Sequence, residues 1–446
     1  GVPIRPEPEA AGSNFNVPRS TFVDCMKALK EDARLALEGL PWEYGDAAEM
    51  QRLSAKYAGA DQGKVTRVFG ANFIGRMSGK VVEAFVAKAD LLAASPAYSD
   101  QSGVDWKTAA ASAAKVLNHI GGVDGMDPTG WTWYCNVDDI EKLSPTESPA
   151  EILWRGERAK SLSLEEDNFP PTLYGNGRIN PTQNLVDAFP MLNGYPVSHL
   201  SGEYDENLPY ANRDPRLEAY ILYNGCKAGN TNKEIFTAAD GTTNDALNKV
   251  VGRSTRTGYY LRKLLRQDIS LDPNAKADQY HYTPRIRYTE IFLAYAEAAN
   301  QAYGPQDKGG NGYSAYDVVK KLRHRAGIGR DNGDAYLETQ RAVCSIKEDE
   351  NGGDPYLESV KNDKDAMRDL IRNERRLELC FEGFRFWDLR RWKSNLTETA
   401  KGMNISGTRY TPMEVDKRSF SEYMYYGPIP YSEVLKYDEL KQNQGW

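Results

Sequence analysis

Histidine is scarce in this chain, with four residues in 446, beside five cysteines and no excess of positive charge. Each shortage excludes something. His119, His199, His281 and His324 stand at no metal-ligand spacing, so neither an imidazole metal site nor a histidine acid–base pair is expected. Cys25, Cys135, Cys226, Cys344 and Cys380 are far apart and include no CxxC pair. That spacing excludes a zinc cluster or disulfide framework and favours buried thiols over a single disulfide. No apolar run approaches the roughly 18 residues of a membrane-spanning helix. With 63 acidic against 56 basic side chains and a net charge of −7, the chain lacks the cationic face that nucleic acid requires. Gly1 to Ala10 (GVPIRPEPEA) contains no charged segment followed by an apolar one, and no cysteine to carry a lipid. Read alone, it leaves a cytoplasmic chain or one whose targeting end has been removed. GxSxG, HExxH, Walker and strand-linked GxGxxG signatures are absent as well, and no cofactor is expected. Asp272 to Asp278 (DPNAKAD) lacks the glycine and closing glutamate of a calcium loop. Glycoside hydrolysis needs only two carboxylates, so a glycosidase stays open as a minor alternative.

What is present is a folded composition, 40% hydrophobic and 27% charged, with 27 Tyr and 8 Trp. Many amphipathic rings beside few imidazoles favour binding over catalysis. The length admits about three ordinary domains or one continuous helical-repeat body. Helical period opens after Thr21, where Phe22, Met26, Leu29, Ala33, Leu37 and Leu40 recur until Pro41. A second stripe, from about Asn72, takes in Ile74, Met77, Val81, Phe85, Ala89 and Leu92 and ends at Ser95-Pro96. The third follows Asp105, a candidate N-cap, through Trp106, Ala110, Ala113, Leu117 and Ile120 to Gly121-Gly122.

From Gly121 to about Arg285, Pro, Gly, Asn and aromatic residues displace the helical period, and ordered loops with a few short strands or helices are expected. Helical order resumes at Pro284, with Ile291, Tyr295, Ala298 and Ala302 on one face, then Tyr316, Val319, Leu322 and Ala326 on the next. Small Ala at contact positions suits tetratricopeptide-like pairs, although no strict 34-residue period appears. A further helix over about Lys364 to Phe381 breaks at Gly383, and the aromatic C-terminus reads as an irregular tail laid on the body.

Two groups of residues carry chemistry. In NERRLELCFEGFRFWDLRRWK, Glu374, Arg375, Glu378, Glu382, Arg385, Asp388 and Arg391 present either a carboxylate site with Arg clamps or a structural ion-pair motif where helices meet. The surrounding Phe381, Phe384, Phe386, Trp387 and Trp392 favour the structural reading. In the loops, Trp131, Trp133, Tyr174, Tyr204 and Tyr210 are candidate stacking platforms, and Asn176, Arg178, Asp205 and Asn207 are candidate polar contacts. The structural alternative makes several of these rings plugs that hold loops to helices.

Several blocks together resemble the SusD/RagB family of outer-membrane glycan-binding lipoproteins. They are GRMSGKVVEAFVAKADLLAASPAY from Gly75, NPTQNLVDAFPMLNGYPV from Asn180, NRDPRLEAYILYNG from Asn212, TRTGYYLRKLL from Thr255, PRIRYTEIFLAYAEAAN from Pro284, RNERRLELCFEGFRFWDLRRWK from Arg372, and the closing GPIP…NQGW. The resemblance implies a mostly helical, tetratricopeptide-like scaffold with long irregular ligand-binding loops and minor β-structure. On that reading residues 1–446 form one body, with helical pairs over 1–120, a loop-rich ligand-binding part over 121–285, and helical scaffold plus tail over 286–446. The resemblance further implies non-catalytic glycan binding at the outer membrane and delivery to a SusC-like TonB-dependent transporter. Uptake of oligopeptides is the alternative within the family, and a tetratricopeptide scaffold that binds only proteins is the alternative outside it. The family pattern opens with a signal peptide, a lipid-carrying cysteine and helices ahead of a GGVPL-like segment. This chain opens at GVPI, so membrane attachment is implied through a lipid anchor on a segment absent from it.

Overall fold

Alanine sets where the helices come closest. The structure, a computed structural model, describes residues 1–57, 60–328 and 354–446. The Trp106–Asn118 helix presents Ala109, Ala110, Ala113 and Ala114, and the Tyr288–Tyr303 helix presents Ala294, Ala296, Ala298 and Ala299, none more than 1% exposed. These two helices pack on each other. The Gly79–Ala94 helix lies against both, the Phe22–Gly39 helix covers it, and Ala315–Arg325 and Lys364–Glu378 flank Tyr288–Tyr303. Leu117, Phe292, Leu293, Val318, Leu322, Leu370 and Ile371 complete the larger core. The fold is therefore mostly helical, a tetratricopeptide-like scaffold with minor β-structure, as the sequence implied.

Helix ends follow local chemistry. Thr21 caps the first helix by accepting from the Asp24 amide, Asp105 does the same for Thr108, and Ser314 with Asp317 forms a reciprocal capping box. The second stripe is shorter than its periodicity suggested. Its helix starts at Gly79; Ile74 precedes it in a turn, and Met77 lies in the irregular stretch just before it. Pro284 is not helical either: Gln279–Arg287 is a strand, paired antiparallel and with bulges against Ile152–Ser161, and the helix begins at Tyr288. The helices Ala47–Lys56 and Gln62–Phe69 and the hairpin Ala400–Ser406/Arg409–Asp416 had no clear sequence signal. The aromatic tail returns to the start of the chain, where Arg19 donates to the Lys441 carbonyl and the Asn443 side chain. Among the described residues the cysteines are free; Cys226 and Cys380 are buried, but Cys25 and Cys135 are only half-buried, and Cys344 lies outside the described residues.

A second layer of cohesion is ionic. Arg216 is fully buried and bonds Asp214 at 2.7 Å, Glu374 at 2.8 Å and Glu378 at 3.0 Å. Arg323 joins Glu374 at 2.7 Å and also pairs with Asp354; Arg325 reaches the other oxygen of Glu378 at 3.2 Å. Arg287 bridges Glu151 at 2.6 Å and Glu382 at 2.7 Å, and Lys263 meets Glu382 at 2.7 Å. A neighbouring set ties Arg375 and Arg391 to Asp388, each at 2.8 Å, and Arg391 to Glu297 at 2.6 Å. Arg385 stands apart: it is half-buried, has no ion-pair partner among the described residues, and is pushed down to about 10 by burial and by Arg376. Its expected place in a paired motif is thus corrected. The other six residues of that motif are spent on ion-pair partners inside the protein.

Burial opposes ionisation of Glu378, but Arg325, Arg216, Arg287 and Lys263 outweigh it and hold its carboxyl down at about 2, from an ordinary 4.5. A depressed carboxyl stabilises the fold fully above the ordinary value, and this stabilisation is lost as pH falls from 4.5 towards 2. Asp214 and Glu151 are raised, chiefly by burial, and oppose that trend. Glu378→Gln is expected to cost about 3–5 kcal/mol at pH 7, with the gap to the unmodified chain narrowing below pH ~4.5. Urea unfolding between pH 3 and 7 measures it; a constant gap would contradict the charge account. Ala113→Leu, which forces bulk into the closest helix contact, is expected to cost about 1–3 kcal/mol in the same assay.

Candidate functional site

One hydroxyl organises the loop beneath the site. Thr255 Oγ1 donates to the Tyr259 carbonyl at 2.8 Å and accepts from the amides of Gly258 and Tyr259 at 3.0 and 3.1 Å. Gly258 has φ +87°, and a Cβ there would stand 2.4 Å from the Met403 carbonyl oxygen, so only glycine lets the turn lie on the 400–416 hairpin. The turn aims Tyr259, fully buried, at the loop carrying Tyr204 and Tyr210.

Around Tyr259 the rings converge. Tyr210 stacks on Tyr223 at 4.2 Å between centroids and meets Tyr259 and Tyr410 edge-on at 6.3 and 5.9 Å. Arg213 lies 5.5 Å from the Tyr204 ring centroid and donates to the backbone carbonyls of Pro209, Val186 and Phe189. Tyr204, Tyr210, Tyr223 and Tyr410 all remain half-buried, each keeping part of its ring in solvent. Burial raises the Tyr204 hydroxyl, and raises those of Tyr210 and Tyr259 far above the ordinary phenol range, so all three stay protonated at neutral pH. Such a surface offers apolar ring area edged with hydroxyls and carboxylates, and it holds no nucleophile–base pair. Among the described residues no group of three His, Cys, Asp or Glu side chains is arranged to hold a metal.

The candidate residues divide by position. Tyr204 and Tyr210 come together, with Asp205 and Asn207 exposed on the same loop, where Asp205 accepts from the Asn207 amide and side chain. Tyr174, Asn176 and Arg178 belong to another loop. Tyr174 is 53% exposed in the left-handed region, the Asn176 amide donates to the Glu166 carbonyl, and Arg178 pairs with Asp167 at 3.1 Å. Trp131 and Trp133 are corrected outright as stacking platforms. They are 1% and 4% exposed in the second core, because Trp131 packs on Tyr220, whose hydroxyl donates to the Trp131 carbonyl, and Trp133 packs on Tyr134. Trp133 borders a partly open cavity of about 450 Å³ beside the 152–161/279–287 ribbon, which Glu382 also lines. Sequence reasoning missed Tyr223, Tyr259 and Tyr410; TRTGYYLRK carried Tyr259 in plain view, but its use depended on which loop faced it.

Fold and surface together define a mostly helical, tetratricopeptide-like protein whose loops carry a tyrosine-lined surface. The SusD family model matches residues 154–446, and the chain belongs to the SusD family. A SusD-like protein of Formosa agariphila is 32% identical over 104 residues, 23% of this chain and 16% of that protein's own length. A SusD-like protein of Bacteroides fragilis superposes with a TM-score of 0.68 at 22% identity, covering 100% of this chain and 76% of its own. A SusD-like carbohydrate-binding protein of the same organism gives 0.61 at 20%, covering 99% and 75%. At such identities these two structures speak for the fold. Gly258→Ala should cost about 1–3 kcal/mol in chemical denaturation, through strain at the turn that seats Tyr259. An unchanged midpoint would mean the turn is not under this constraint.

Proposed function

We propose that this chain binds oligo- or polysaccharide without transforming it, at the outer-membrane surface, and delivers it to a SusC-like TonB-dependent transporter. The observation that carries the reading is the half-exposed group of Tyr204, Tyr210, Tyr223 and Tyr410 on the loop side of the scaffold. Pyranose rings have one apolar face and a rim of hydroxyls, and aromatic rings beside polar acceptors complement both. Membership of the family and the name of its carbohydrate-binding relative support the same class of ligand. The non-catalytic part rests on the densest carboxylate cluster being locked in internal ion pairs. Among the described residues no helix is long and apolar enough to cross a membrane, so delivery would rest on a partner that does. In this reading the loops of 121–285 are the ligand-binding part, joined at Tyr410 by the 400–416 hairpin.

Affinity electrophoresis and calorimetry against a polysaccharide panel test the proposal. Tyr204→Ala and Tyr410→Ala are each expected to weaken binding about three- to tenfold while the melting transition holds. Binding of oligopeptides and of no glycan would transfer the protein to peptide uptake. Shortened oligosaccharide products would make it a glycosidase. Co-purification with a TonB-dependent barrel protein checks the partner.

A further inference from the structure

One hydrogen bond of the tyrosine surface has a fixed direction, which can be read by following its protons. Gln183 Nε2 donates to Asp187 Oδ1 at 2.6 Å, so its Oε1 is left as acceptor, and it takes the hydroxyl proton of Tyr259. Tyr259 has then no proton left for Tyr210, 3.1 Å away, and the Tyr210 hydroxyl is the donor of that bond. The chain Tyr210→Tyr259→Gln183→Asp187 passes under the surface and ends on a carboxylate, and it commits the Tyr210 proton to Tyr259.

The other polar groups at the surface point the same way. Asp187, Asp205 and Glu206 are exposed carboxylates, and all three act electrostatically on Tyr204. The side-chain amide of Asn207, on the same loop, is turned back to Asp205 at 3.1 Å. Two cations act on these rings: Arg213 is 6% exposed, with both terminal nitrogens spent on backbone carbonyls, and Arg262, beside Tyr223, is 2% exposed and donates to the Glu218 and Lys227 carbonyls. Neither guanidinium is free for an anionic group of a ligand, while acceptors for ligand hydroxyls abound.

We infer that this surface takes neutral, hydroxyl-rich glycans and rejects uronate- or sulfate-bearing ones. The inference rests on the glycan-binding reading above and narrows it. A uronate or sulfate brought against Asp187, Asp205 and Glu206 is repelled, whereas neutral hydroxyls donate to the same oxygens.

The test is affinity electrophoresis at low ionic strength with paired probes: neutral glucans, mannans, xylans and galactans against polygalacturonate, alginate and sulfated galactans. Retardation by one or more neutral probes, reduced in Tyr204→Ala, and none by the acidic ones is the expected result. Glu206→Lys, which turns a rim charge from negative to positive, is expected to strengthen retardation by acidic probes at least about fivefold, an effect that salt abolishes. An acidic probe that retards the unmodified protein as well as any neutral one, and loses that effect in Tyr204→Ala, overturns the inference and leaves glycan binding intact. Acidic probes that stay excluded from Glu206→Lys, its fold verified by melting, overturn the charge filter. Retardation by no probe of either kind overturns both readings.

Discussion

Arg216 carries a full charge where no water reaches it, and the rest of the molecule is arranged around neutralising it. A guanidinium offers five donors in a rigid plane, so a single carboxylate does not satisfy it. Asp214, two residues away, takes one side, and Glu374 and Glu378, one helical turn apart, take the other. Those two glutamates in turn need Arg323 and Arg325 from a third helix, and Arg287 and Lys263 complete the set. Loop, strand and three helices are thereby held to one geometry. Ion pairs of this kind add little net stability over well-packed apolar side chains, but breaking one strands a buried charge, and so they penalise every other arrangement.

The tyrosine surface depends on this geometry. Arg213 and Asp214 are consecutive: Asp214 faces the ionic core, while Arg213 turns to the carbonyls of the 186–189 segment and lies under Tyr204. The loop that carries Tyr204 and Tyr210 thus leaves the body from an anchored point. Gln183, on the short helix at 183–186, is fixed from its other side by Asn184, which bonds Glu398 and Thr399 at the foot of the hairpin. The rings of three separate segments meet because each segment is tied separately to the scaffold.

The scaffold was the legible half. Alanine-rich stripes, capping residues and the Gly121 and Gly383 breaks are local signals, and local signals survive in a linear string. Where local rules misled, tertiary pairing had the last word. Pro284 and its neighbours follow a helical stripe on paper, but Ile152–Ser161 recruits them as a strand. The site was legible only as a list of aromatic loop residues. Trp131 and Tyr204 looked alike there, both being rings among Gly, Asn and Asp; one proved to be core and the other surface. Composition near a ring says nothing of which neighbour covers it, because the covering residues, such as Tyr220 for Trp131, are nearly ninety positions away.

By itself the sequence determined the helical class and the internal ion pairing of most of the ERR…EGFRFWD charges, since each depends on residue type and short spacing. Tertiary structure alone decided which tyrosines share a surface, which way their protons run, and that Arg385 is left without an ion-pair partner among the described residues. The reason is physical. A hydrogen bond or a ring contact acts over a few ångströms, and those ångströms are set by how distant segments pack, not by how far apart they are along the chain.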